Sequence, residues 1–148
     1  MVRLPFGHSL FSKAICFKAP YFGSISPKIT VLENARCEAV IKDRRAIHNH
    51  IGTVHAIAMC NLAELSAGVM IDASLPADMR WIPKGMTVSY LKKATGTLRS
   101  IATPTTPIIS SVAGYDLPVN VDVVNSQGEK VFEAEIRMWM SPKPSKTG

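Results

Sequence analysis

The stretch HNHIGTVHAIAMCNLAELSAG, residues His48 to Gly68, decides the fold of this 148-residue chain. Three histidines and an asparagine crowd its front, and a nearly all-apolar segment with one carboxylate, Glu64, follows. A helix that is apolar on most sides must be covered by other elements of the protein. The stretch therefore predicts a core helix from Val54 to about Asp72, with Thr53 as its N-cap.

The rest of the chain supplies strands that could cover this helix. Residues 30–42 alternate between apolar and polar side chains, which predicts one half-buried strand before the helix. Four alternating stretches follow the helix, and NSQGEK between the last two predicts a hairpin turn. One strand, one long apolar helix and about four antiparallel strands predict an α+β hotdog fold, a curled antiparallel sheet wrapped around a central helix.

The same pattern divides the chain into three parts. We expect a helical or irregular N-terminal segment at residues 1–29, in which Ser9 to Lys18 could form a short helix. Residues 30–141 are expected to form the hotdog domain. Residues 142–148, rich in proline and lysine, are expected to be a flexible tail.

Composition excludes several classes of protein. The 47% hydrophobic and 19% charged content is typical of a globular domain, and three widely spaced cysteines do not form a disulfide or zinc pattern. The N-terminus lacks the apolar core of a secretory signal, so we expect a cytoplasmic protein. The net charge of +6 comes from scattered residues with few aromatics, which argues against nucleic acid. An acid at the centre of a bilayer costs about 2.5–3.5 kcal/mol, which argues against a membrane span.

The segment NHIGTVHAIAMCNLAEL resembles the active-site segment of acyl-CoA thioesterases of the hotdog superfamily, PaaI-like type. Their pattern is N-x-x-G-x-x-H-G-G, followed by an acid nine residues after the histidine. Four residues fall in register with it: Asn49, Gly52, His55 and Glu64. The Gly-Gly pair is Ala56-Ile57 here, which restricts close approach of the backbone to a ligand.

The resemblance implies a role for each residue of the motif. Glu64 would be the nucleophile or the base that activates water, and Asn49 would orient the water or the carboxylate. The first N–H groups of a helix lack intrahelical acceptors, so the amides of His55 and Ala56 could polarise the thioester carbonyl. The resemblance favours Ala56 and gives the His55 side chain a largely structural role. The candidate substrate-binding residues are Gly52, Thr53, Asn61, Lys84, Thr87, Ser89, Lys92 and Lys93.

The proposed chemistry has a consequence for assembly. Along one helix, His55 and Glu64 lie about 13.5 Å apart and cannot share a substrate carbonyl. We therefore expect a homodimer, or a dimer of dimers, that brings Glu64 of one chain to the helix start of the other. The ligand is an acyl-CoA, with CoA as part of the substrate and with neither a metal nor another cofactor.

Two alternatives stay open at this point. Hotdog 3-hydroxyacyl dehydratases pair a histidine with a glutamate fourteen residues later, and His50 and Glu64 have that spacing. The chain lacks the proline-rich setting of those enzymes. The other alternative is a non-catalytic protein that binds acyl-CoA.

Overall fold

The apolar stretch forms helix α2, and its neighbours in the chain form strands around it. Over residues 7–145, the part of the chain that it describes, the computed structural model has two α-helices and six strands. In chain order they are α1 Gly7–Lys18, β1 Lys28–Glu33, β2 Arg36–Ile41, α2 Ala56–Ser74, β3 Met79–Tyr90, β4 Leu98–Pro104, β5 Tyr115–Val124 and β6 Lys130–Pro142. Short 3-10 turns lie at Pro20–Ile25 and Arg45–Ile47.

The six strands form one antiparallel sheet in the order β1-β2-β4-β5-β6-β3, and α2 packs against one face of it. Alternate residues of β5 and β6 turn toward the helix, which accounts for the period of two in their sequence. The buried side chains include Leu62 and Met70 of α2, Val121 of β5, and Phe132 of β6. This is the predicted hotdog fold: a curled sheet around a central helix.

Helix α2 is long and apolar enough to cross a membrane by length and composition, but 67% of its most apolar window is buried inside the protein. The sheet covers it on one side and the Pro20–Ile25 turn packs against it on another. Within this core, Ser66 donates a hydrogen bond to the Leu62 carbonyl and lies 2.5 Å from the Ser100 hydroxyl of β4. Helix α2 is therefore a core helix, as the sequence predicted.

The structure corrects three details of the sequence prediction. Residues 30–42 form not one strand but a hairpin, in which β1 and β2 pair around a turn at Ala35 with φ of 58°. Helix α2 begins at Ala56 rather than Val54, and its N-cap is His55 rather than Thr53. Strand β6 continues to Pro142. The expected N-terminal helix is present as α1, whereas residues 1–6 and the end of the expected tail, residues 146–148, lie outside the described part.

The two edges of the sheet differ in how they are covered. At the β1 edge, the buried hydroxyl of Ser12 in α1 donates to the His8 carbonyl and accepts the Ile29 amide at 2.9 Å. Helix α1 thereby covers that edge. At the other edge, no segment within residues 7–145 pairs with the outer side of β3.

Candidate active site

The loop before α2 is organised by the side chain of Asn49. Its amide oxygen accepts the backbone N–H groups of Ile51 and Thr53, both at 3.1 Å, and its nitrogen donates to the Thr53 hydroxyl at 2.7 Å. Gly52 has a φ of 80°, a conformation that favours glycine, and its amide donates to the Asn49 carbonyl. The motif spacing Asn-x-x-Gly therefore encodes a tight turn. Asn49 thereby sets the shape of the loop, and the second N–H of its side-chain amide forms no hydrogen bond within residues 7–145.

A carboxylate that the motif does not contain fastens this loop. Asp43 contacts the His48 imidazole with one oxygen and accepts the Gly96 amide at 2.7 Å with the other. The hydrogen bond from His48 and then that from Gly96 hold the pKa of Asp43 below its ordinary value. Asp43 thus links the loop before α2 to the connection between β3 and β4. Sequence reasoning missed it, because nothing in its local sequence distinguishes it from a solvated turn residue.

The start of α2 leaves one backbone donor open. The His55 amide donates to the Ile47 carbonyl at 2.8 Å, so it is not one of the open donors that the sequence predicted. The His55 ring accepts the Ile57 amide through Nδ1 at 3.0 Å, and the His55 carbonyl accepts the Ala58 amide. Among the described residues, the Ala56 amide has no acceptor. Ala56 is therefore the residue whose backbone N–H, at the positive end of the helix dipole, is open to a ligand.

Glu64 lies two turns further along α2 and is exposed, not buried as its apolar surroundings suggested. Its carboxylate forms no hydrogen bond or ion pair with the residues from 7 to 145. It lines a cleft of about 320 Å³ between α2, α1 and β3. An unpaired carboxylate on a largely apolar cleft is available to a ligand, and this placement fits an attacking group or a base.

A second cleft, of about 290 Å³, adjoins the open Ala56 amide. Its lining combines the loop before α2 with the end of β3 and the segment after it: Asn49, Ile51, Thr53, Val54, Ala56, Met59, Tyr90, Leu91, Lys92, Lys93 and Ala94. Four predicted residues, Asn49, Thr53, Lys92 and Lys93, therefore do converge on Ala56. Lys92 is paired with Glu129 at 2.5 Å, whereas Lys93 forms no ion pair within the described chain.

The structure separates three other predicted residues from this region. Strand β3 aligns Thr87 with Glu135 and Ser89 with Glu133, side chains on the face of the sheet that points away from α2. Lys84 lies 3.4 Å from Asp116 and over the ring of Trp139, also on that outer face. These three side chains therefore do not line the Glu64 cleft within a single chain, because a strand sends alternate side chains to opposite faces. Their role in binding substrate stays a prediction.

Of the remaining polar residues on α2 and in the loop before it, some contact a residue of another element and one is exposed. Asn61 donates to the Tyr21 hydroxyl at 3.4 Å, which links α2 to the turn after α1 rather than to the sheet. His50 is exposed in the loop before α2. The Cys60 thiol lies 3.7 Å from the Tyr90 hydroxyl, and that contact, followed by burial, raises the pKa of Tyr90. Between residues 7 and 145, no group of three or more His, Cys, Asp or Glu side chains could hold a metal ion.

Comparison with known proteins places the chain in a family. Residues 7–140 match the family described as "Domain of unknown function (DUF4442)". A crystal structure from a genomics programme is 46% identical with a TM-score of 0.81, and the match covers 91% of this chain and 90% of that one. A Pseudomonas aeruginosa protein of unknown function, described as a probable thioesterase, is 25% identical with a TM-score of 0.78 over 95% and 97% of the two chains.

A more distant structure, a phenylacetic acid degradation-related protein of Ralstonia eutropha, shares 16% identity and a TM-score of 0.69 over 81% of this chain and 89% of that one. The comparison with curated proteins found no match. At 16% identity the likeness shows the shared fold, and it agrees with the resemblance found in the motif. The chain belongs to the DUF4442 family and has the fold of the hotdog thioesterase superfamily.

Proposed function

We propose that this protein is a homodimeric hydrolase that cleaves acyl-CoA to a free acid and a thiol. The observation that carries the proposal is the pair of open groups on α2, the unsatisfied Ala56 amide and the unpaired Glu64 carboxylate. A hydrogen-bond donor for a developing oxyanion and a group that can attack or activate water are what thioester hydrolysis needs. The names of the P. aeruginosa structure and of other solved structures with this fold support the same class of reaction.

The two groups must come from different subunits. Eight residues of helix separate Ala56 from Glu64, about 12 Å along the axis, so one chain cannot place both on a single carbonyl. The open edge of β3 offers the second copy a place to pair. Apolar side chains stand exposed along β3, notably Ile82, Met86 and Tyr90, and an uncovered apolar edge strand favours association.

In the reaction that we propose, the thioester carbonyl lies between Glu64 of one subunit and the partner subunit's Ala56. As a base, Glu64 takes a proton from water while the water oxygen bonds to the carbonyl carbon. As a nucleophile, its carboxylate oxygen forms that bond itself, and water later cleaves the anhydride. In both routes the oxyanion accepts the amide of the partner subunit's Ala56, and its collapse breaks the carbon–sulfur bond. In the base route the protonated Glu64 gives its proton to the leaving CoA thiolate. In the nucleophilic route this cleavage forms the anhydride, the thiolate takes its proton from solvent, and water then attacks the anhydride.

The cleft beside Ala56 is the place that we propose for the CoA portion. Lys93 offers a free ammonium group there, and the start of a helix favours negative charge. Lys92 contributes less, because Glu129 already neutralises it. The Gly-Gly pair of the family motif is not required for this role, since the Ala56 amide is open without it.

The decisive experiment removes each open group separately. Ala56→Pro deletes the amide, and the first helical position is where proline is best tolerated. The preceding His55 has φ −63° and ψ 137°, the extended conformation that a residue before proline prefers. We expect kcat for thiol release from acyl-CoA to fall about 10²–10³-fold in Ala56→Pro and about 10²–10⁴-fold in Glu64→Gln. Ala56→Gly, which keeps the amide, is the matched control.

Complementation tests the arrangement across two subunits. A mixed dimer of Ala56→Pro and Glu64→Gln chains, isolated by two different tags, contains one intact pair and should recover about half of the wild-type activity. If both groups acted within one chain, the mixed dimer would be as inactive as its parents. Thiol release that is unchanged in Glu64→Gln would contradict the proposal, and so would saturable binding of acyl-CoA by the wild type without turnover.

A further inference from the structure

The cleft that contains Glu64 continues into a larger one. This larger cleft, of about 620 Å³, lies between α1, the β1–β2 hairpin and the end of α2. Ile15, Lys18, Val69 and Asp72 line both clefts, so the two meet along the seam between α1 and α2. Volumes of about 300–1,000 Å³ are typical of small-molecule sites.

The walls of this seam are mainly apolar. Helix α1 contributes Phe11, Ala14 and Ile15, and α2 contributes Leu65, Val69 and Ala73. Polar side chains interrupt these walls at Glu64 near one end, at Glu33 and Asn34 at the other, and at Lys18 and Asp72 between them. Asp72 is already engaged, since it accepts the indole N–H of Trp81 at 2.7 Å.

We propose that this seam holds the acyl chain of the substrate, and that the substrate is the CoA ester of a linear aliphatic acid of medium to long chain. The inference deepens the proposed hydrolase function and rests on it for the position of the thioester at Glu64. From Glu64 to Ala73 the seam follows nine residues of α2, about 13.5 Å. An acetyl or aryl group would fill only the part next to Glu64 and leave most of the apolar wall in water.

The walls of the seam are fixed in position. Ser12 holds α1 against β1 by its hydrogen bonds, so the wall that α1 contributes to the seam is part of the folded domain. On the opposite side, Gly68 allows the Trp81 ring to close against α2, since a β-carbon there would lie 3.0 Å from the ring. A preformed apolar slot binds a flexible chain in proportion to the apolar surface that it buries.

Binding and turnover test the inference separately. Non-hydrolysable alkyl-CoA thioethers of increasing length are titrated calorimetrically into wild-type protein, and the hydrolysis of the matching thioesters is measured. We expect affinity to rise about fourfold for each added methylene until the seam is full. Ala14→Phe and Ala73→Phe narrow the seam, one from each wall, at exposed positions. In these variants the rise in affinity should stop at a shorter alkyl chain. Leu10→Phe, on the exposed side of α1, is the matched control and should behave as wild type.

The two proposals can fail independently. The proposal that the seam binds the acyl chain would be overturned if thioether affinity did not depend on chain length. It would also be overturned if Ala14→Phe and Ala73→Phe left the length dependence unchanged, whatever the enzyme hydrolyses. Length-dependent binding that Ala14→Phe shortens supports the seam even if no thioester is turned over, a result that would overturn only the hydrolase.

Discussion

Gly68 of α2 lies directly against the indole of Trp81 in β3, so closely that a β-carbon on residue 68 would lie 3.0 Å from the ring. The hydrogen bond from the ring nitrogen to Asp72 keeps the indole from tilting away. This pair of residues fixes the distance between the core helix and the open edge strand. It also explains a glycine in the middle of a helix, where glycine is normally unfavourable.

Replacing this glycine should therefore destabilise the protein despite the better helix propensity of alanine. Overpacking costs about 1–3 kcal/mol, while Gly→Ala in a helix gains about 1 kcal/mol, so we expect Gly68→Ala to lower the free energy of unfolding by about 1 kcal/mol. Urea denaturation measures it. In a Trp81→Leu background, where the ring is absent, the same substitution should become stabilising. A stabilising effect in the wild-type background would contradict the close packing.

The N-cap of α2 gives a second prediction. His55→Ala removes the acceptor for the Ile57 amide and should cost about 1 kcal/mol of stability. His55→Asn supplies a side-chain oxygen at the same position and should recover most of that loss. Thermal and urea unfolding of the two variants measure the difference. Equal stability of His55→Ala and His55→Asn would show that the ring does not act as a cap.

Asp43 gives the protein a pH-dependent stability. Its pKa is lowered in the folded state, so the unfolded chain binds more protons in the acid range and stability rises with pH there. The contribution is complete above the ordinary aspartate pKa, near 3.9, and is lost as the pH falls through the lowered value. We expect Asp43→Asn to cost about 1–3 kcal/mol at neutral pH and the difference from wild type to shrink in acid.

Unfolding free energies at neutral and acid pH measure this difference. Asp116→Asn, which removes an exposed ion pair with Lys84, is the control and should have a small effect at every pH. An Asp43→Asn penalty that stays constant into acid would contradict the assignment.

The open edge of β3 predicts how the proposed dimer can be dissociated. Met86→Asp places a carboxylate on this edge strand, and like charges from two copies repel across a twofold axis. Sedimentation should show a shift from dimer to monomer, with loss of thioester hydrolysis. Thr30→Asp adds the same charge to β1, whose edge α1 covers, and should leave both unchanged. A Met86→Asp variant that stays dimeric would place the interface elsewhere.

The fold followed from the sequence because its signals are periodic. The apolar length of α2 and the alternation in β5 and β6 reflect which side chains each element buries. This pattern can be read from one element alone, before the elements that pack against it are known. The β1–β2 hairpin was missed because its turn contains Ala35 with a positive φ, where glycine or asparagine is the usual signal. The turn is supported by a hydrogen bond that the Ala35 amide donates to the hydroxyl of Ser74, a residue 39 positions away.

The part of the site that is local in sequence could be predicted directly from the motif. The loop residues and Ala56 are close in sequence, so the motif placed them together. The sequence did not show that Thr87 and Ser89 face away from α2, because the register of β3 against β6 decides which face a side chain takes. Tertiary contacts bring Asp43, Lys18 and Phe22 to the site. Such contacts could not be inferred from the spacing of residues along the sequence.

The open amide at residue 56 has an evolutionary consequence. A main-chain N–H is present in every amino acid except proline, so mutation can change the side chain at this position freely while the polarising group persists. A search for the sequence motif would then miss relatives in which other residues replace the two glycines, whereas a search for the backbone geometry would find them. A proline at this one position, in contrast, would mark a member that lacks the amide on which the proposed hydrolysis depends.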